Sequence, residues 1–207
     1  MITFPLLVPR SEDIDSIRIT GESRNAFSQS PFTGEIQVHE HQGKFWRADI
    51  RLAPLPRANA ESWLAFFFKL DGRKGTFLMG DPSAGVPRGD AQNSAGVPLV
   101  FGGSQSGDVL VIDGVPSSVD NYLMAGDYVQ ISSFTSTRLH KVLDNVSTTS
   151  GGVASLQIWP KLRSSPADNT VIFVGSAQGI WRLNANQANW EELPVLYNME
   201  FTAIEAL

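Results

Sequence analysis

The chain has 207 residues, of which 42% are hydrophobic and 18% charged, with a formal net charge of −5 and no cysteine. That length suits one large or two small domains with a proper core. The acidic balance excludes a global attraction to nucleic acid or anionic lipid, and the missing cysteine excludes disulfides, thiol nucleophiles and thiolate metal sites.

The N-terminal run Met1-Ile2-Thr3-Phe4-Pro5-Leu6-Leu7-Val8-Pro9-Arg10 has no basic n-region, and Pro5 interrupts its apolar stretch. The longest apolar run, residues 63–68, is far below the roughly 20 residues needed to cross a bilayer. The expectation is a soluble protein made in a cytoplasm, without membrane insertion.

Alternation at a period of two marks a strand with one buried face. Ile14-Asp15-Ser16-Ile17-Arg18-Ile19 gives an irregular candidate, and Ile36-Gln37-Val38-His39 a second. In Phe45-Trp46-Arg47-Ala48-Asp49-Ile50-Arg51-Leu52 the residues Trp46, Ala48, Ile50 and Leu52 share one face. Gln42-Gly43 lies between the last two runs, so residues 35–53 are expected to form a β-hairpin. A helix is expected next, capped by Asn59, with Glu61 in its first turn and Gly72 as its stop. Trp63, Phe66, Phe67 and Leu70 follow the spacing of one helical face, while Leu64 and Phe68 widen it beyond one stripe. Trp63, Leu64, Phe67 and Phe68 are therefore candidates for contacts between the sheet beneath and a neighbouring subunit above.

Thr76-Phe77-Leu78-Met79 reads as a short strand, and residues 83–98, rich in Gly and Pro, as a domain junction. Beyond it lie five strand signals. These are Asp108-Val109-Leu110-Val111-Ile112, then a meander in residues 126–160, then Thr170-Val171-Ile172-Phe173-Val174. In the meander, residues 128–130 are expected to pair with 140–143. Such a set suits an OB-like Greek-key barrel. Residues 179–183 and 197–207 add two more strands, the last with Tyr197, Met199, Phe201 and Ala203 on one face. The expected fold is thus mainly β with one α-helix. A β-sandwich/hairpin domain formed by residues 1–82 and 175–207 is interrupted by an inserted OB-like β-barrel, residues 83–174.

The search for chemistry yields little. His39 and His41 sit at i, i+2 with no further ligand at a suggestive spacing, and His140 belongs to a strand. The run Gly102-Gly103-Ser104-Gln105-Ser106-Gly107 resembles a phosphate or nucleophile loop but no helix follows it. Asp108, Asp113 and Asp127 are carboxylates available for glycan hydrolysis in number only, and two of them adjoin turn glycines. The insert carries Tyr128, Phe134, Trp159 and Phe173. Its positive charges, Arg138, Lys141, Lys161 and Arg163, are offset by acids, which argues against a nucleic-acid groove. Trp159 and Tyr128 are the candidates for stacking on a sugar, with Trp159 followed by a strand-ending proline. No cofactor, metal or catalytic residue is assigned.

One resemblance draws these signals together. Ala125-Gly126-Asp127-Tyr128-Val129-Gln130-Ile131, His140-Lys141-Val142 and Leu156-Gln157-Ile158-Trp159-Pro160-Lys161-Leu162 resemble segments of the distal tail proteins of long-tailed, non-contractile phages. The subgroup concerned has an OB-fold second domain. Phe45-Trp46-Arg47-Ala48, the aromatic helix with Gly72-Arg73-Lys74-Gly75, and residues 173–183 are of the same type. The resemblance implies a virion structural protein without enzymatic activity, assembled as a ring of six copies at the distal end of the tail. Its implied partners are the tail tube protein, the tail hub or tip, side-fibre proteins and a host-surface saccharide. The rival readings are a carbohydrate-binding accessory module using Trp159 or Tyr128, and a glycan hydrolase.

Overall fold

The computed structural model describes residues 2–41, 43–131, 137–192 and 194–206. Gln42 of the expected turn and Phe134 lie outside the described residues. Strands β1 (Leu6–Leu7) and β2 (Ile14–Glu22) open the chain, and β3 (Asn25–Gln29) and β4 (Ile36–Glu40) follow. Next come β5 (Phe45–Leu52), β6 (Leu55–Pro56), helix α1 (Arg57–Leu70) and β7 (Phe77–Met79). The middle of the chain supplies β8 (Leu99–Val100), β9 (Gly107–Asp113), β10 (Tyr128–Ile131), β11 (Arg138–Val142), β12 (Ala154–Leu162) and β13 (Ile172–Phe173). The chain closes with β14 (Gly179–Leu183), β15 (Trp190–Glu192) and β16 (Leu196–Glu205). The protein is mainly β with one helix, and its middle strands make a nearly closed barrel-like sheet.

An eight-stranded sheet takes strands from both ends of the chain in the order β1-β7-β14-β16-β5-β2, with β6 and β15 also paired to β16. Its centre is β16. The first residues of that strand pair with β6 and β15, and the rest with β5 and β14. The alternation of β5 does what the sequence requires. Trp46, Ala48, Ile50 and Leu52 are buried, and their neighbours in the strand are half-buried or exposed. Helix α1 lays Trp63, Phe66, Phe67 and Leu70 into the same core, where Phe67 meets Phe201 edge-on at 5.1 Å between ring centroids. Burying side chains of this size contributes about 1.5–3 kcal/mol each. The helix stops where Asp71 and Gly72 take left-handed φ values of 52° and 65°.

The six-stranded sheet has the order β13-β10-β11-β12-β9-β8. Strands β10, β11 and β12 form a meander and β13 returns beside β10, which is the spatial order of a Greek key. A bridge between Leu99 and Val171 joins the two end strands and nearly closes the barrel. The first meander pairing has Tyr128 opposite Lys141, Val129 opposite His140 and Gln130 opposite Leu139, as the alternation implies. Val100, Leu110, Ile112, Val129, Leu156, Ile158 and Ile172 fill the barrel. Where the chain leaves for the barrel and where it returns, the two segments are joined by the Ser176 N–H donating to the Gly85 carbonyl at 2.7 Å.

The structure revises three local expectations. The expected hairpin over 35–53 does not form, because β4 pairs with β3 while β5 pairs with β2 and β16. Strand β5 carries the buried row and is taken into the middle of the large sheet, so β4 is left to close on its preceding neighbour. The N-cap of α1 is Pro56 and not Asn59, which lies inside the first turn and accepts a hydrogen bond from Ser62 Oγ at its carbonyl. Pro160 does not end its strand: β12 runs on to Leu162, and its register against β9 shifts between Gln157 and Leu162. A register shift is where a residue without an N–H is tolerated in a strand. The segment read as a junction, residues 83–98, contains a 3₁₀ turn at Asp90–Gln92. Asp127, 3% exposed, accepts hydrogen bonds from the backbone N–H groups of Arg88 (2.8 Å), Gly89 (3.3 Å) and Met124 (2.8 Å), tying that segment to the barrel.

Candidate functional site

The residues with the densest specific interactions lie where the sheet meets the barrel. Trp46 faces inward from β5, and its ring Nε1–H reaches across to donate to the Leu139 carbonyl of β11 at 2.9 Å. Trp159 of β12 stands edge-on to it with ring centroids 4.4 Å apart. Tyr128 of β10 lies 6.0 Å from Trp46. Gly21 of β2 leaves room for the indole of Trp159, since a Cβ there would come within 2.5 Å of the ring. Tyr128 and Leu139, although on barrel strands, therefore belong to the core of the large sheet.

Around this aromatic centre runs a polar network. Glu205, at the end of β16, has a side chain only 4% exposed. It meets the Arg163 guanidinium in a two-point fork of 2.6 and 2.8 Å and accepts the Trp46 backbone N–H at 3.1 Å. Arg163 also donates to the Lys44 carbonyl at 2.6 Å. A forked guanidinium–carboxylate pair fixes orientation as well as energy. Next to it, His140 shares a hydrogen bond of 2.6 Å with the Pro160 carbonyl through Nδ1. Burial pushes the His140 imidazole down to about 4, against the pull of that carbonyl and of Glu205. The ring is neutral at pH 7, so Nδ1 carries the proton and donates it. A further link runs from the Gln178 N–H to Gln130 Oε1 at 2.9 Å.

Tyr128 and Trp159, the candidates for a sugar platform, are thus both parts of the joint. Tyr128 is 6% exposed, and Lys141 Nζ lies 4.6 Å from its ring centroid. Trp159 is half-buried and packed against the main core. Of the four candidates for subunit contact, Trp63, Leu64 and Phe67 are buried within the chain at 0%, 8% and 5% exposure, and Phe68 stands out at 65%. Trp63 also donates its Nε1–H to Asp13 Oδ2 at 3.0 Å. The wide apolar surface of the helix is absorbed by the chain's own sheet, leaving only Phe68, edge-on to Trp190, at the surface.

The remaining chemical candidates stay apart. His39 and His41 face each other with ring centroids 4.8 Å apart, but no group of three or more metal-ligating side chains occurs among the described residues. The Gly102 N–H is held by Asp168 at 2.7 Å, and Gln105 clamps the Val111 backbone, so the glycine-rich run is a strand connection. One cleft, about 770 Å³, has Ile17, Ile50, Phe67 and Phe201 among its lining residues, together with Arg18, Asp49, Glu200 and Thr202. Asp49 already accepts from Thr202 Oγ1 at 2.7 Å, and this bond, aided by Arg47, holds its carboxyl below the usual carboxylate range.

Sequence reasoning missed the Arg163–Glu205 pair. Its signal is in β16 itself: Glu205 continues the parity of Tyr197, Met199, Phe201 and Ala203, so a carboxylate stands in an apolar row. A charge in such a position implies a buried partner. No family model matches the chain, and no curated protein matches it either.

Proposed function

We propose that the chain is a structural subunit of a phage tail tip: a distal tail protein that assembles as a ring, joining the tail tube to the hub and side fibres. On this reading it belongs to the virion, the ring has six copies, and the subunit works by positioning its neighbours and not by turnover. The observation that carries the reading is the joint. A large sheet built from both chain ends holds an inserted barrel through Trp46, Trp159 and the Arg163–Glu205 fork. An adaptor needs that kind of stiffness, because a hinged barrel would present fibres or receptors in no fixed direction. A sugar-binding role for the barrel gains nothing from Tyr128 or Trp159, whose rings are engaged in the joint.

Negative-stain electron microscopy of the purified protein tests the proposal. Class averages of a ring with a central channel and outward-projecting barrels are expected. Particles the size of single chains at every concentration would overturn it.

A further inference from the structure

Strands β3 and β4 form a separate two-stranded sheet whose residues are all exposed. The register sets Phe27 opposite Val38 and Gln29 opposite Ile36. Residues two apart share a face in a strand. Phe27, Ile36 and Val38 therefore lie on one side of the ribbon, together with Gln29 and with Asn25 and Glu40 at the base, and Ala26, Ser28, Gln37 and His39 on the other. The apolar side is open to water, with Phe27 at 74%, Val38 at 66% and Ile36 at 56% exposure, and Phe32 beyond β3 at 94%. A two-stranded ribbon is at best marginal alone in water.

This arm is tied to the rest of the chain at its base. Glu40 pairs with Lys44 at 2.7 Å and with Lys161 of β12 at 3.7 Å, the His41 N–H donates to the Arg24 carbonyl at 3.0 Å, and the Arg24 guanidinium lies over Phe45. An arm fixed in advance loses less freedom on docking. Between Asn25 and His39 the only ionised side chain is Glu35. Few charges with exposed aromatics is the composition of an interface centre, and the lack of Lys and Arg gives phosphates of nucleic acid or lipid nothing to meet.

The barrel carries a second uncovered face. Along β9, β8 and β13 the inward residues Leu110, Ile112, Val100 and Ile172 are buried. Their alternates Leu99, Phe101, Val109, Val111, Val171 and Phe173 point outward, with Phe101 at 51%, Phe173 at 41%, Val171 at 39% and Val109 at 38% exposure. This seam is an apolar β-surface across three strands, with Asp113, opposite Leu99, as its one charged member at the end of β9. The exposed pair Phe68 and Trp190 is flanked in sequence by Lys69, Glu191 and Glu192.

We infer that the apolar face of the arm of one copy packs on the barrel seam of a neighbouring copy. Two β-surfaces of this kind stack about 10 Å apart with side chains interleaved. The arm offers on the order of 500 Å² of apolar surface, the size of a large functional patch but short of the ~800 Å² per partner in a stable two-body complex. Such a contact suits an assembly in which each copy gives one arm and receives another. A head-to-tail contact of that kind closes into a ring when its rotation divides the circle. The inference rests on the ring reading above and names the contact that builds it.

The absence of cysteine makes the test direct. Val38→Cys and Val171→Cys chains are prepared separately, mixed, and treated with a short bis-maleimide. A cross-linked pair is expected from the mixture and not from either variant alone. Cross-linking of Val38→Cys with itself would mean arm-on-arm pairing and overturn the inference. A ring by microscopy without cross-linking in the mixture would also overturn it while sparing the ring reading. Failure to assemble at any concentration would overturn both. In the otherwise native chain, Phe27→Ser and Phe173→Ser are each expected to raise the assembly midpoint concentration at least tenfold, and Phe68→Ser to leave it unchanged. An effect of Phe68→Ser alone would contradict the assignment.

Discussion

The arm and the joint are neighbours in the chain, with His41 and Lys44 standing between them, and both are built from alternating strands with aromatic side chains. At the joint, Trp46 has acceptors for both its N–H groups and is 5% exposed, while in the arm Phe27 has water on most of its surface. The difference is not in the strands but in what lies across from them. Strand β5 has β2 on one side, β16 on the other, and a helix and barrel strands over its inner face. Among the described residues, strands β3 and β4 pair only with each other. Burial satisfied inside one chain produces rigidity, and the same kind of surface left uncovered produces a docking face.

The most disruptive way to break the joint is to remove Arg163. Arg163→Ala leaves the Glu205 carboxylate buried without its cation, a change expected to cost about 3–5 kcal/mol in urea unfolding. Glu205→Gln, which keeps an acceptor for the Trp46 N–H, is expected to cost clearly less. Equal losses for the two would show that the charge pair is not what matters.

Acid attacks the same region. His140 has an ordinary value near 6.5 and is pushed to about 4 in the fold, beside Glu205, Arg163 and Arg138. Above pH 6.5 both folded and unfolded chains hold it neutral, and its effect on stability is nil. As pH falls from 6.5 toward 4, the unfolded chain takes up a proton that the folded chain refuses. Stability is then lost, on the order of 3 kcal/mol by pH 4. His140→Gln is expected to remove that part of the pH dependence while Arg163 and Glu205 are kept. Parallel stability–pH curves for the two proteins would contradict it.

A milder test concerns the packing of Trp159. Gly21→Ala places a methyl 2.5 Å from the indole, and overfilling of this kind is expected to cost about 1–3 kcal/mol. Thermal unfolding with tryptophan fluorescence as the probe reads both the loss and the displaced ring. An unchanged spectrum and midpoint would mean that Trp159 is not seated there.

The arm should respond least. Phe27→Ser is expected to alter the stability of the unassembled chain by less than about 0.5 kcal/mol, because the side chain is already in water. A loss above 2 kcal/mol would mean that the arm is folded back onto its own chain.

Local periodicity made much of the fold legible. The buried row of β5, the helix face of Trp63, Phe66, Phe67 and Leu70, and the pairing of β10 with β11 follow from residues close together in sequence. What was not legible depends on distance. Nothing near Ile36 says that its strand will pair backward with β3, because that outcome is decided by β16, which takes the other side of β5. Arg163 and Glu205 lie 42 residues apart and meet only when the barrel docks. Asp127 looked like turn chemistry and is that, but its turn also holds Arg88 and Gly89 from a segment with no pattern of its own. The proposed site shifted for the same reason. The helix has a broad apolar face, yet Trp63, Leu64 and Phe67 are covered by strands whose arrival no helical spacing announces.

On the proposed function this chain is one subunit of a closed ring. The most direct test of that reading is the mass of the purified protein by light scattering across a concentration series. A plateau at six copies of the 22.6 kDa chain is expected, reached only at tenfold or higher concentration in Phe27→Ser. A single-chain mass that stays constant into the tens of micromolar would contradict it.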